Sequence, residues 1–128
     1  MPTPRFFPFL RAAIALQAAM ILIQAVTAGL LLSSPGGRTV HGISAVAVLA
    51  AGLLHLAAAI LVWRPGGGPA RTVAPAAGLL IGTLAEMAFG VMHLKTLHVP
   101  VGVLMFGGSV MLLARVMPRR RAETAVAA

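Results

Sequence analysis

Cysteine, aspartate, asparagine and tyrosine are absent from this chain of 128 residues. Without cysteine the chain forms no disulfide framework, no thiolate zinc site and no iron–sulfur cluster. Without aspartate it offers no Ser/His/Asp set for hydrolysis. The run Gly66-Gly67-Gly68 is flanked by prolines and lacks the Lys and Ser/Thr of a phosphate-binding loop. No catalytic residue is therefore predicted, and an enzyme is not the expected class.

Charged residues are scarce, at 9% of the chain, whereas apolar residues make up 59%. A water-soluble domain carries about 25% charged residues, so this chain has too few polar groups to cover a globular surface. Ten basic and two acidic residues give a net charge of +8. The basic residues lie between apolar runs rather than on one face, which argues against nucleic-acid binding. The composition predicts a membrane protein in contact with the lipid bilayer.

Four apolar runs have the length that crosses a hydrocarbon core at about 1.5 Å per residue. We expect a single membrane domain over residues 1–128, with spans at 12–32, 40–63, 73–94 and 99–117 and a basic cytoplasmic tail at 118–128. The connectors are short and rich in Pro and Gly, which predicts that consecutive spans are antiparallel neighbours. The expected fold is all-α, a transmembrane four-helix up-down-up-down bundle.

The basic residues predict the orientation of the spans. Eight of the ten fall in the amino-terminal segment, the second connector and the carboxy-terminal end, whereas the other side has only Arg38 and Lys95. The positive-inside rule therefore predicts that both termini are cytoplasmic. The run Arg119-Arg120-Arg121 is expected to anchor the tail to lipid headgroups rather than to bind nucleic acid.

Each predicted span has one face of polar or small residues, and in a bilayer such a face is buried against neighbouring helices. In the third span these residues recur at every fourth position: Gly78, Gly82, Glu86 and Gly90. We call the three glycines the Gly stripe and expect it to pack against another helix. Glu86 should then face protein, with Gln24 of the first span as its expected hydrogen-bond partner.

Three histidines gather at the non-cytoplasmic end of the predicted bundle. His41 opens the second span, His98 opens the fourth at the same depth, and His93 ends the third. Adjacent helix axes lie about 8–10 Å apart, so a diagonal pair lies about 12–14 Å apart. That gap suits two imidazoles ligating one haem iron between facing helices. His55 lies about 21 Å deeper than His41, with no histidine opposite it.

Two stretches, Gly82–Leu94 and Leu97–Val103, resemble the third and fourth helices of one half of heme A synthase. That family repeats a four-helix unit whose second and fourth helices each open with a haem-ligating histidine. Val40-His41-Gly42 and His98 stand where those motifs fall. The resemblance covers about residues 40–107, and it implies that His41 and His98 ligate haem b.

The chain also departs from that family. Glu86 stands where the family usually has Gln, and Thr39 and Val40 stand where an acidic residue precedes the second-helix histidine. The family has two such bundles, one of them catalytic, and an extracytoplasmic cysteine pair. Haem ligation therefore carries over to this chain, whereas oxidation of a haem methyl group does not.

The pattern also resembles small four-helix membrane proteins of GC-rich bacteria such as actinobacteria. Twenty-five alanines, and nine arginines to one lysine, fit a genome of that kind. The expected location is therefore the bacterial inner membrane, crossed several times.

The leading hypothesis is a haem-binding membrane protein acting in electron transfer, haem handling or redox sensing. Placing ionisable or polar side chains inside a membrane costs free energy, so such residues are candidates for a function. Beside the ligands, four residues are candidates for a second shell or a proton relay: His93, Glu86, His55 and Gln24. For His55 the alternative is a neutral imidazole bonded to Gln17.

Three other functions compete with haem binding. The first is a non-catalytic accessory or structural subunit that packs through the Gly stripe in a homo-oligomer or a larger membrane complex. The second is a small transporter that uses Glu86 and His55 as a proton relay. The third is a divalent-metal site formed by His41, His93 and His98, although no carboxylate or thiolate is close in sequence to complete it.

Overall fold

The structure is a computed structural model that describes residues 4–118. It contains four α-helices and one three-residue 3-10 helix: α1 (Phe7–Ser33), α2 (Gly37–Trp63), the 3-10 helix (Ala70–Thr72), α3 (Val73–Val91) and α4 (Lys95–Val116). No strand occurs among the described residues, so the all-α class is confirmed. Each of the four helical segments is long and apolar enough to cross a membrane, as expected of a multi-pass membrane protein.

The helices contact one another as a closed ring. Helix α1 packs against α2 and α4, and α3 packs against the same two helices, with the α1–α2 contact the most extensive. In the part of the chain that is described, no Cα atoms of the α1–α3 pair or of the α2–α4 pair lie within 8 Å of each other. This arrangement is compatible with a four-helix bundle in which those two pairs are the diagonals.

The helices differ from the predicted spans most at the start of α1, which begins at Phe7 rather than at residue 12, and otherwise at the ends that the short connectors join. Helix α2 begins at Gly37 and α4 at Lys95, both earlier than predicted, while α3 ends at Val91. His93 adopts a φ of 59°, a left-handed conformation that stops α3 before residue 94. Residues 119–128 lie outside the described residues, and with them the predicted basic run and most of the tail.

The tightest packing joins the beginning of α1 to the end of α2. Small and branched apolar side chains of α1 and α2, together with Ala76 at the beginning of α3, interlock there with almost no exposure: Leu10, Ala13, Ile14, Ala58, Ala59, Val62 and Ala76. Alanines at such positions let helix backbones approach closely, which is how helices associate in lipid. Helices α3 and α4 are much less buried, so they contribute most of the apolar surface available to the bilayer.

The α1–α2 connector depends on a close backbone approach at Gly37. A Cβ at this position would lie 2.8 Å from the Leu31 Cα and in contact with the Leu30 carbonyl group. Gly36 precedes it with a φ of 82°, which glycine adopts without a steric cost. The two glycines therefore let the first turn of α2 lie directly against the last turns of α1.

We expect Gly37→Ala to lower the free energy of unfolding by about 1–3 kcal/mol, because the added methyl group forces the connector away from α1. Thermal unfolding of the detergent-purified protein, followed by circular dichroism, measures the effect. Gly29→Ala is the matched control, since a Cβ at Gly29 meets no atom within 4 Å. Equal midpoints for the two variants would contradict the steric argument.

Candidate functional site

His41 and His98 meet inside the bundle. Their ring centroids lie 6.3 Å apart and their ring planes are inclined by 80°. His41 belongs to α2 and His98 to α4, a diagonal pair of helices whose Cα atoms do not come within 8 Å of each other. Both residues are partly buried. The two imidazoles therefore meet in the interior between two helices whose backbones do not approach each other closely.

Helix α1 holds the His41 ring through both ring nitrogens. The Gln24 amide nitrogen lies 3.2 Å from Nε2, and the Thr27 hydroxyl oxygen lies 3.2 Å from Nδ1. An amide nitrogen donates, so Nε2 accepts, and in a neutral imidazole the proton is then on Nδ1. His41 Nδ1–H therefore donates to Thr27, and its Nε2 presents a lone pair.

Ser44 completes this hydrogen-bonded group. Its hydroxyl donates to the side-chain carbonyl of Gln24 and lies 2.8 Å from the Thr27 hydroxyl oxygen. Thr27 and Ser44 are both buried. Gln24 and Thr27 are three residues apart on α1, and so are His41 and Ser44 on α2, which places two matched pairs on facing helix surfaces. Thr27 and Ser44 belong to the polar faces that the sequence predicts to line the bundle interior, but their contacts with His41 and Gln24 were not predicted.

Glu86 of α3 holds the other ring. Its Oε2 lies 2.6 Å from His98 Nδ1, and its backbone carbonyl oxygen lies 3.0 Å from the same nitrogen. The Nδ1–H group donates to Glu86, which leaves His98 Nε2 as the free ring nitrogen. The Glu86 side chain is 13% exposed and is directed at α4.

The expected hydrogen bond between Glu86 and Gln24 does not form. Gln24 bonds to His41 and Ser44 on α2 instead. The reason is the order of the helices around the bundle, since α1 and α3 are diagonal and do not pack together. The hydrogen-bonded residues of α1 and α2 meet the Glu86–His98 pair of α3 and α4 through the contact between the His41 and His98 rings. A continuous series of side-chain contacts therefore links all four helices.

The other two histidines lie apart from this pair. His93 is exposed in the α3–α4 connector. His55 is 1% exposed and donates its Nδ1–H to the Gln17 side-chain oxygen at 2.5 Å. Within residues 4–118 no group of three metal-ligating side chains converges. Of the three histidines in the metal-site alternative, the structure therefore brings His41 and His98 together but not His93.

The Gly stripe packs partly against α4 of the same chain. A Cβ at Gly82 would lie 3.1 Å from the Met105 sulfur, and one at Gly90 would lie 3.5 Å from His98 Cε1. Gly78 is exposed, and a Cβ there would meet no atom within 4 Å. Two of the three glycines thus serve the α3–α4 contact, and one is open to a neighbour.

No known protein family, curated protein or solved structure matches this chain.

We expect Thr27→Val to lower the free energy of unfolding by about 1–3 kcal/mol, because it keeps the side-chain shape but removes the buried hydroxyl that accepts from His41 Nδ1–H and contacts the Ser44 hydroxyl. Thermal unfolding in detergent measures the loss. Ser33→Ala removes an exposed hydroxyl on the same helix and should cost at most about 0.5 kcal/mol. Similar losses in both variants would show that the buried hydroxyl does not stabilise the bundle.

Proposed function

We propose that this multi-pass membrane protein binds haem between His41 and His98 and acts in electron transfer, haem handling or redox sensing. The observation that carries the proposal is the pair of rings, 6.3 Å apart at their centroids, on two diagonal helices of the bundle. Haem and metal sites in helix bundles are built from side chains on facing helices in this way.

The ring separation supports ligation of a single metal ion. Two imidazoles that each bind a metal at about 2.0 Å have centroids roughly 6 Å apart when they lie on opposite sides of it. The observed 6.3 Å agrees with that value. A bis-histidine haem needs no third protein ligand, so the pair is a sufficient donor set.

The hydrogen bonds of the two rings support the same role. Metal-ligating histidines usually donate the other ring N–H to a carboxylate or a similar acceptor, which fixes the tautomer and the ring orientation. Glu86 accepts from His98 Nδ1–H, and Thr27 accepts from His41 Nδ1–H. Both Nε2 atoms are thereby left as lone-pair donors.

Ligand binding at His41 requires one local change, because the Gln24 amide now donates to its Nε2. Rotation of the Gln24 side chain frees that nitrogen and leaves the Thr27 hydrogen bond in place. Haem bound there would supply one-electron chemistry. His41 and His98 would hold the haem iron, while Thr27 and Glu86 would orient their rings through the Nδ1–H hydrogen bonds.

The orientation that we propose places both termini in the cytoplasm of a bacterial inner membrane, in an up-down-up-down bundle. Eight of ten basic residues fall on that side. The pairs Gln24–His41 and Gln17–His55 support antiparallel packing of α1 and α2, since positions later in α1 meet positions earlier in α2.

We expect the detergent-purified wild-type protein to show a Soret absorption band, as isolated or after reconstitution with haemin. His41→Ala and His98→Ala should each remove most of the band, because each deletes an axial ligand. Glu86→Gln should weaken haem affinity by roughly tenfold or more, since it removes the charge that orients His98. Absorbance per protein during haemin titration measures all three effects.

His93→Ala is the matched control, since His93 is an exposed histidine near the same end of the bundle. It should retain the wild-type band. A wild-type protein that shows no Soret band even when haemin is supplied would end the haem proposal.

We expect reporter fusions after Arg38 to be active on the periplasmic side and fusions after Arg71 to be active in the cytoplasm. The physical reason is the positive-inside distribution of the basic residues. The same fusions in the Arg38→Gln variant are the control. This substitution removes one of the two basic residues on the predicted periplasmic side, so it should leave the location of both fusion points unchanged. The same location for both fusion points would contradict the proposed topology.

A non-catalytic accessory subunit is the second candidate. The observation that favours it is Gly78, which is exposed and open on the weakly buried helix α3. A helix of a second copy or of a larger membrane complex would approach closely there. Cross-linking from α3 to another chain in membranes, together with an absence of haem, would place this function first.

A further inference from the structure

A second site opens at the end of the bundle opposite to the His41–His98 pair. A cavity of about 210 Å³ lies there, and all four helices contribute to its lining. The lining includes Ile14 of α1, His55 of α2, Pro75 of α3 and Leu112 of α4. Its volume equals that of about seven water molecules at roughly 30 Å³ each, enough for a small polar headgroup.

Two arginines give this cavity a positive mouth. Arg71 in the 3-10 helix and Arg115 in the last turn of α4 both line it, and both are exposed. Within residues 4–118 the only carboxylate side chain is Glu86, and it is paired with His98. Neither arginine therefore has an acidic partner in the described chain. Guanidinium groups bind phosphate oxygens in a bidentate manner.

His55 gives the cavity a buried acceptor. The residue is 1% exposed and lines the cavity, and its Nδ1–H donates to Gln17. In a neutral imidazole with the proton on Nδ1, Nε2 carries a lone pair. His55 Nε2 is buried and has no hydrogen-bond partner. A buried acceptor without a partner is costly, which makes this atom the natural contact for a hydroxyl group of a ligand.

We propose that this cavity binds a phosphate ester that carries a free hydroxyl group, of the glycerol phosphate type. Arg71 and Arg115 bind the phosphate oxygens at the mouth, and a ligand hydroxyl donates to His55 Nε2. Apolar side chains such as Leu10 and Ile14 form the wall beside the ligand. The site is independent of haem binding, because His55 lies about 21 Å from His41 along α2.

Two sources can supply this chemistry. One is the headgroup of an anionic glycerophospholipid, which basic residues at a membrane surface attract. The other is a soluble glycerol phosphate that enters from the aqueous phase. The arginines and His55 recognise the same groups in either case, so the source has to be distinguished by experiment.

The test measures lipid binding to the full chain in detergent by native mass spectrometry. Phosphatidylglycerol and phosphatidylmethanol with identical acyl chains carry the same charge, but only the first has headgroup hydroxyls. The wild-type protein should bind phosphatidylglycerol roughly tenfold more tightly, because only this lipid satisfies the buried His55 acceptor. His55→Phe should remove the preference. Because the two lipids are compared on the wild-type protein, this result does not depend on whether any variant folds.

Matched arginine variants test the mouth of the cavity. Arg71→Gln and Arg115→Gln should each weaken phosphatidylglycerol binding by roughly fivefold or more, because each removes a charge-assisted contact to phosphate. Arg64→Gln is the control, since Arg64 lies over the Trp63 ring and does not line the cavity. It should change binding less than about twofold.

Competition with soluble glycerol 3-phosphate identifies the source. Displacement of the lipid by glycerol 3-phosphate, but not by inorganic phosphate, supports a soluble ligand, whereas retention of the lipid supports a bound headgroup. Equal wild-type affinity for the two lipids would overturn the proposal. So would arginine variants that behave like Arg64→Gln.

Discussion

The contact between His41 and His98 is the interaction on which the interior of this bundle depends. Through this contact the hydrogen-bonded pair Gln24–His41 of α1 and α2 meets the pair Glu86–His98 of α3 and α4. In a bilayer the hydrophobic effect does not draw one apolar helix to another, so hydrogen bonds and small-residue contacts decide how helices pack. A single chain of side chains, from Ser44 through the two rings to Glu86, therefore joins residues of all four helices.

The two proposed sites use the same kind of group for different purposes. His98 and His55 each donate Nδ1–H to a neighbouring side-chain oxygen and keep Nε2 free. At the His41–His98 pair the second imidazole faces the first, which suits a metal between them. At His55 the surroundings are apolar walls and two arginines, which suits an anion with a hydroxyl group. The neighbours, and not the histidine itself, decide which ligand fits.

Individual residues show how far the sequence could be interpreted. The four-residue spacing of glycines and Glu86 on α3 correctly indicated that the Glu86 side chain faces protein, and depth along the spans brought His41 and His98 to one level. The choice of Gln24 as the partner of Glu86 was wrong. Depth and helical face can be counted along one helix, but the identity of the opposing helix depends on how four helices are ordered around the bundle, and here α1 and α3 are diagonal.

The sequence by itself determined the all-α class and the four apolar helices, because hydrocarbon length and the need to satisfy backbone hydrogen bonds leave a chain of this composition little alternative. Only the tertiary structure decided which polar side chains pair. It joined Glu86 to His98, engaged both ring nitrogens of His41 through α1, and left His55 Nε2 beside a cavity that all four helices line. Such contacts join residues that are distant in sequence, so no periodicity within a single helix encodes them.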